Sequence, residues 1–515
     1  MSKKTFKVLL FSIIALGVTL RFFFASILPL WLDERYSLLF AWEGSPAILL
    51  FQSKDVHPGL FYLLLKGILF LTSDLHLLRF LTSLFPQLLG ICLLLYWMNK
   101  RQFSQLSILV AALLLFLNPF LIYLGAQLRM YGLVSLFSCL TFIAVQEWMR
   151  DQESKKKFLG VVGVLLLGNA SSYAFFFLSA GVLLFMVTEL LTKKSWGKGA
   201  VLSAITIMIA EFFFLADIPF KKNFEAAAWI PSPSLANLPS LIMTVLGFSN
   251  DHFLAVRSLK SESIAGYVLI GVLLFCFYFY FLKRKNEFVL PIKKQVLLML
   301  LIPVAGIVLL SVLFPLLSQR HFFYLFIPKI SFFLPRFFVP QLIFFSAYIA
   351  VVSSSLNMGH LKRLWKKALL LLFICLSLLW VRTYSVMMDH SNDLQLNEEK
   401  KIAALQKKRE LEANTDTTVT ILPAWIALTS LNSKNLTQIK AIQKEVDAAE
   451  KLERLLFSNT ELNCSELNNR RVFYLPADTT ATVQETYEQK VSSLENCCEE
   501  VVDSTVSKEW SCPAR

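Results

Sequence analysis

The feature that most constrains this chain is a series of apolar runs, many about twenty residues long, separated by clusters of Lys and Arg. The first run follows Lys3, Lys4 and Lys7 and extends over about 8–28. A helix of this length crosses a hydrocarbon core of roughly 30 Å. With 56% hydrophobic and only 17% charged residues, the chain has too little polar surface for a soluble protein of 515 residues. The sequence therefore predicts a polytopic α-helical membrane protein.

The basic clusters predict the side on which each loop lies, because such residues are retained in the cytoplasm. They place the N-terminus in the cytoplasm and predict about 11 transmembrane helices plus juxtamembrane helices, with a third span over about 106–124 and a fourth over about 131–148. The run 60–71 is short and contains Lys66, so we interpret it as a juxtamembrane helix. If it were counted as a span, most of the basic clusters that follow it would lie on the extracytoplasmic side of the membrane, against this rule. The expected location is the cell inner (plasma) membrane.

Charge divides the chain into two predicted domains. The whole chain has a formal net charge of +14, yet residues 385–515 contain 15 Lys and Arg against 21 Asp and Glu. Since the basic clusters alternate with apolar runs, membrane topology accounts for them, and nucleic acid is not an expected partner. We predict a transmembrane domain over 1–384, whose first outer loop is 29–76, and a separate C-terminal domain over 385–515.

The C-terminal domain has the pattern of a small extracytoplasmic α/β domain. Residues 418–422 and 471–475 are typical of short buried strands, and 435–457 is typical of a helix. Four cysteines in this domain could form disulfides in an oxidising compartment, and no Cys-x-x-Cys metal pair occurs. They are Cys464, Cys497, Cys498 and Cys512.

Carboxylates are concentrated in the first outer loop. Asp33 and Glu34 follow the first span, and Asp55 and His57 precede the juxtamembrane helix. A carboxylate at a membrane surface can act as a general base toward a hydroxyl group. The alternative is structural: the Asp33–Glu34 pair ends a helix at the interface, Asp55 caps a helix, and His57 is an interfacial polar residue.

Cationic side chains occur in two predicted outer loops. Arg129, with Tyr131, lies between the third and fourth spans, and Arg320 and Arg336 precede a late span. Guanidinium groups bind phosphate oxygens well, so these residues are candidates for holding a lipid phosphate. The alternatives are snorkelling of Arg129 and general contact with lipid headgroups.

Taken in order, these motifs resemble the GT-C superfamily of membrane glycosyltransferases, most closely the bacterial branch related to protein O-mannosyltransferases and aminoarabinose transferases. The matching residues are Asp33-Glu34, Asp55-x-His57-Pro58, Arg79, Arg129-Met-Tyr131 and Pro335-Arg336-Phe337-Phe338. The similarity covers about 8–350. The family usually has two prolines after the His, and Gly59 replaces the second here.

The resemblance implies inverting transfer of a sugar from a polyprenyl-phosphate donor to a glycan, lipid or protein acceptor on the extracytoplasmic face. It implies that Asp33 is the base, with Glu34 contacting the acceptor or a metal, and that Arg129 and Arg336 bind the donor phosphate. We expect Asp55 in the catalytic group as well. Substrate-binding roles are expected for His57, Tyr131 and Arg320. The resemblance leaves a divalent cation open as a cofactor.

Two other classes compete with this hypothesis. A transporter or flippase of lipid-linked saccharides would place ionisable groups in mid-membrane and contain paired, interrupted helices in two halves. The notable charges here are predicted at outer helix ends, and the sequence contains no half-to-half repeat. A non-catalytic assembly scaffold would leave the acidic loop without a purpose.

Overall fold

The computed structural model describes residues 2–28, 30, 32–43, 57–193, 299, 339–355, 380 and 384, and four strands in the C-terminal part of the chain. Its described helices are α1 (Lys3–Ile27), α2 (Leu32–Glu43), α3 (Leu60–Leu69), α4 (Leu75–Lys100), α5 (Gln105–Phe116), α6 (Pro119–Gly125), α7 (Tyr131–Arg150), α8 (Lys155–Ser171), α9 (Ala174–Lys193) and α10 (Val339–Ser355). The strands are β1 (Thr418–Leu422), β2 (Arg470–Tyr474), β3 (Glu499–Asp503) and β4 (Lys508–Cys512).

Several described helices have the length and composition of membrane spans. Among the described residues, four helices are long and apolar enough to cross a membrane: α1, α4, α7 and most of α9. The bent pair of α5 and α6 adds a fifth if it is counted as one span. The prediction of a polytopic helical membrane protein is therefore confirmed. The predicted total of about 11 spans depends largely on residues outside the described ranges.

The short apolar run at 60–71 forms α3, which is ten residues long. At 1.5 Å per residue such a helix is about 15 Å long, half the thickness of the hydrocarbon core. Its length is therefore too small for a span, in keeping with the prediction of a juxtamembrane helix.

The third predicted span is not one continuous helix. Over 106–124 the sequence predicts a single span, but α5 ends at Phe116 and α6 begins at Pro119, with a bend of 53° between them. The physical reason is local. Pro119 has no backbone N–H and favours a helix start. The side-chain oxygen of Asn118 caps the new helix by accepting hydrogen bonds from the backbone N–H groups of Phe120 and Leu121 at 2.9 and 3.3 Å.

Helices α4 and α7 run in the same direction and approach closely through glycine. A Cβ atom added at Gly132 would lie 2.0 Å from the carbonyl oxygen of Ser83, and one added at Gly90 would lie 2.7 Å from the Cα of Leu136. Residue numbers therefore increase in the same direction along both helices, which makes the pair parallel. Helix α5, which lies between them in the sequence, packs against α1, α10 and α4.

Two further contacts complete the described helical core. Helices α8 and α9 form a tight hairpin, in which the ring of Phe175 fills the space beside Gly168. Helix α10 packs against α7 through aromatic rings, with ring centroids of Phe142 and Phe344 5.5 Å apart and those of Phe142 and Tyr348 5.3 Å apart. The connection between α8 and α9 consists of residues 172–173.

The chain divides into two compact units, which we describe separately. The first contains Met1–Ile27, Glu43–Thr72 and His76–Met387, and the second contains Leu28–Trp42, Ser73–Leu75 and Met388–Arg515. The first unit contains the apolar helices just described. Helix α2, which carries Asp33 and Glu34, belongs to the second unit except for its last residue.

The described strands of the second unit form one mixed sheet in the order β1-β2-β4-β3. Strands β1 and β2 are parallel, whereas β4 is antiparallel to both of its neighbours. The two predicted strands correspond to β1 and to β2, which begins one residue earlier than predicted. A parallel pair requires a crossover connection. The helix predicted there, at 435–457, lies outside the described residues.

Candidate functional site

Three helix ends of the first unit lie at the same level: the end of α1, the start of α4 and the start of α7. We call this region the arginine end, because it contains Arg79 and Arg129. Arg79 donates a hydrogen bond from Nη1 to the carbonyl oxygen of Ala25 at 2.9 Å. Ser83 donates from Oγ to the carbonyl oxygen of Arg129 at 2.7 Å. These two contacts connect α1 to α4, and α4 to the turn before α7.

Helix α4 contains one π-helical turn at the arginine end, over Phe80–Leu84. Such turns insert an extra residue and often occur at functional sites. Here Ser83 meets the backbone of Arg129 twice, because its Oγ also lies 3.3 Å from the Arg129 nitrogen. Helix α7 and helix α3 both pack against this turn. The π-helical turn is therefore the surface on which the neighbouring segments meet.

Arg129 and Tyr131 lie where the sequence predicts, in the turn before α7 and at its first residue. Both side chains are only 3% exposed. A side chain that snorkels to the lipid headgroups would be exposed, so the burial of Arg129 argues against that alternative. The backbone N–H of Arg129 also donates to the carbonyl of Gln127 at 2.8 Å, which tightens the turn.

His57 is buried and lies three residues before α3. Helix α3 buries Phe61, Tyr62 and Leu65, and it packs against the π-helical turn. The segment that carries His57 is thereby attached to the same turn as Arg129.

Asp33 and Glu34 occupy the first turn of α2, in the second unit. The sequence suggested, as a structural alternative, that they end a helix, whereas they begin one. Negative charge at a helix N-terminus is favourable because of the helix dipole. Asp33 is half-buried, and Glu34 is 1% exposed. Arg35 anchors the entry to the helix by donating from Nε to the carbonyl of Leu30 at 3.1 Å.

Three predicted site residues, Asp55, Arg320 and Arg336, lie outside the described residues. The described ranges contain no group of three or more His, Cys, Asp and Glu side chains that could hold a metal ion. Since Asp55 is not among them, the role of a divalent cation stays a prediction.

Sequence reasoning missed a buried arginine in the middle of the first unit. Arg21 of α1 is fully buried and makes four hydrogen bonds, all to neutral oxygens. Nη1 donates to the carbonyl of Phe116 at 2.6 Å, and Nη2 donates to that of Leu115 at 2.9 Å. Nη1 also reaches the carbonyl of Gly17 within α1 at 3.0 Å. The only signal in the sequence is one Arg inside the first apolar run.

Gln87 of α4 is the fourth partner of Arg21. Its Oε1 accepts from Arg21 Nε at 2.7 Å, and its Nε2 donates to the carbonyl of Leu121 in α6 at 2.9 Å. Tyr384 completes the set by donating from its hydroxyl to the carbonyl of Leu117 at 2.8 Å. The three consecutive carbonyls at the end of α5 are therefore all satisfied, as the low-dielectric interior of a membrane protein requires.

Comparisons with known proteins complete these findings. No protein-family model matches this chain, and no curated protein matches it. One solved structure that aligns with it is described as "Crystal Structure of ArnT from Cupriavidus metallidurans bound to Undecaprenyl phosphate". The alignment covers 99% of this chain and 98% of that chain, with 10% sequence identity and a TM-score of 0.47.

Proposed function

We propose that this protein is an integral membrane glycosyltransferase of the GT-C type, which moves a sugar from a polyprenyl-phosphate donor to an acceptor on the extracytoplasmic face. The observation that carries the proposal is the burial of Arg129 at the arginine end, in a turn fixed to Ser83 by two backbone contacts. A permanently charged guanidinium is costly to bury in a membrane protein and commonly marks a functional site. Its planar donors match the oxygens of a phosphate group.

The proposed reaction assigns a role to each predicted residue. Asp33 removes the proton from the acceptor hydroxyl while the hydroxyl oxygen attacks the anomeric carbon of the donor sugar. The bond from that carbon to the phosphate oxygen breaks, and the electron pair leaves with the polyprenyl phosphate. Arg129 stabilises the charge that develops on the phosphate. Attack on the face opposite the leaving group inverts the configuration.

The other predicted residues support this step. We assign Glu34 and Asp55 to the carboxylate group that binds the acceptor or a divalent cation. Arg336 and Arg320 are assigned to the donor phosphate together with Arg129. His57 and Tyr131 are assigned to positioning the bound substrate.

The interrupted span, with the buried Arg21 beside it, is the feature that favours the transporter alternative. Broken helices in transporters expose backbone carbonyls that coordinate the transported ion. Here, however, the carbonyls of Leu115, Phe116 and Leu117 already accept hydrogen bonds from Arg21 and Tyr384. This break therefore supports a fixed structural role more than an ion site, and the enzyme hypothesis is preferred.

The test is transfer by purified protein in liposomes. Polyprenyl-phosphate sugars are supplied with lipid, glycan and peptide acceptors, and products are identified by their mass increment. Asp33→Asn should abolish transfer, because an amide does not accept the proton, while donor binding persists. The control is Asp151→Asn, since Asp151 is an exposed residue of the α7–α8 connection and carries no proposed role.

Full transfer by Asp33→Asn would disprove the role of Asp33. Movement of the intact lipid-linked sugar between leaflets, without any covalent product, would establish the transporter alternative.

A further inference from the structure

The unexplained feature of the first unit is Arg21, a buried cation that the proposed reaction does not use. Its guanidinium sits at the end of α5, where the last carbonyls of a helix have no partner within the helix. Those carbonyls form the negative end of the helix dipole, so a cation there is stabilised. A single guanidinium satisfies the carbonyls of both Leu115 and Phe116. It also lies over the ring of Phe116, 5.7 Å from the centroid.

We propose that Arg21 is a positioning residue: it acts as a tethered cation that holds the break between α5 and α6, and through Gln87 it sets the turn that carries Arg129. That Arg129 binds a lipid phosphate rests on the function proposed above. The positioning itself is a property of this chain and does not depend on it.

The first step of the positioning runs from Arg21 to α6. Gln87 joins the two by accepting from Arg21 and donating to Leu121, so its amide cannot rotate without losing one partner. Gly125, the last residue of α6, lies directly against this amide: an added Cβ would be 2.3 Å from the Gln87 Oε1. Both the middle and the end of α6 are therefore held by one side chain of α4.

The second step runs from α4 to Arg129. Ser83 and Gln87 are four residues apart in α4, at successive turns of the helix. Gln87 contacts the end of α6, and Ser83 contacts the backbone of Arg129, four residues beyond Gly125. The short segment 125–129 is thus fixed at both ends by the same helix. If Gln87 moves, the direction in which the turn leaves α6 changes with it.

Chemical rescue tests whether the guanidinium group of Arg21 itself stabilises the protein. In Arg21→Ala the site loses its cation, and we expect a large drop in the thermal unfolding temperature of the detergent-purified protein. Millimolar guanidinium should restore part of that loss, since a free cation can enter the vacated site. Arg21→Lys should retain part of the stability. The matched control is Arg101→Ala at the other end of α4, a partly exposed arginine whose removal should lower the unfolding temperature much less.

Hydrogen–deuterium exchange tests the positioning. Arg21→Lys and Gly125→Ala should each accelerate exchange in peptides that cover 126–130 by at least tenfold. The control is Gly163→Ala in α8, where an added Cβ meets nothing within 4 Å, and its exchange at 126–130 should be unchanged. Gly125→Ala adds a single methyl group and keeps Arg21, so it tests the link even if Arg21 variants fold poorly.

A binding assay with undecaprenyl phosphate distinguishes a failure of the positioning proposal from a failure of the proposed function. Faster exchange at 126–130 with at least tenfold weaker binding in Gly125→Ala would support both. Faster exchange in a protein whose wild type binds no undecaprenyl phosphate would support the positioning and contradict the function. Unchanged exchange at 126–130 in both variants, or equal stability of Arg21→Ala and Arg101→Ala without rescue, would overturn the positioning.

Discussion

The two ends of the α4–α7 pair solve the same packing problem in different ways. At the arginine end the backbones themselves touch, with Gly132 against Ser83, and the buried side chains of Arg79 and Ser83 donate to the backbone carbonyls of Ala25 and Arg129. At the other end the helices are joined by charge: Glu147 accepts from the indole Nε1 of Trp97 at 2.6 Å and forms an ion pair with Arg101. There the side chains of Arg101 and Glu147 are 33% and 21% exposed.

The two ends differ in how strongly a charged side chain depends on partners within the protein. A partly exposed ion pair keeps some hydration, so neither forming nor losing it changes stability much. A buried guanidinium is not hydrated, so its N–H donors need hydrogen-bond acceptors within the protein. The arginine end should therefore tolerate substitution far less than the Arg101–Glu147 end.

The largest effect is expected for Gly132→Ala. The added methyl would meet the carbonyl oxygen of Ser83 at 2.0 Å, and that oxygen belongs to the backbone and cannot rotate away. We expect a loss of about 3 kcal/mol or more in the free energy of unfolding, as for severe overpacking. Equilibrium unfolding in mixed detergent measures it.

The control for this prediction is Gly160→Ala, which has open space around the added Cβ and should be neutral or slightly stabilising. Equal stability of the two variants would contradict the close approach of α4 and α7.

An intermediate effect is expected for Gln87→Leu. The change removes the acceptor of Arg21 Nε and one donor to the carbonyl of Leu121 in a buried site. Losing hydrogen bonds to a charged group, with the unpaired atoms left buried, should cost about 2–3 kcal/mol. The same unfolding measurement applies, with Gln105→Leu at the start of α5 as the control. A loss as small as that of the control would show that Gln87 does not connect the helices.

The smallest effect is expected for Glu147→Gln. The amide keeps an acceptor for Trp97 and Arg101 but removes the negative charge, so we expect a loss of about 0.5–1 kcal/mol. The difference from wild type should shrink in high salt, because salt screens exposed charges. Unfolding measured at low and high salt tests this. A loss as large as that of Gly132→Ala would contradict the difference between the two ends.

Most of the described helices could be predicted from apolar periodicity and length alone. The prediction for the first span, 8–28, differs from the observed Lys3–Ile27 mainly at its start, because the three lysines continue the helix beyond the apolar run. The break at Asn118-Pro119 was missed, since the averaged hydrophobicity of the run hides two residues with strong local preferences. Those residues were a readable signal, as Asn before Pro is typical of a helix start.

A residue of the candidate site could be predicted from the sequence only where its chemical type is unusual for its position in the predicted topology. Arg129 stands out because it is a cation in a short predicted outer turn, and the structure buries it at a helix start. Arg21 does not stand out, because its partners lie 66 and 94–95 residues away and are mostly backbone carbonyls, which every residue has. No pattern in the sequence reports such a partnership. It arises only when three helices are packed.

The glycine contacts between α4 and α7 also limit how this bundle can move. Gly132 and Gly90 are two places where backbone meets backbone, and sliding one helix by a turn, about 5.4 Å, would bring side chains into those spaces. Shear between α4 and α7 is therefore blocked, and the pair must travel as one rigid body. Any conformational change that opens or closes the bundle must occur at contacts other than the one between α4 and α7.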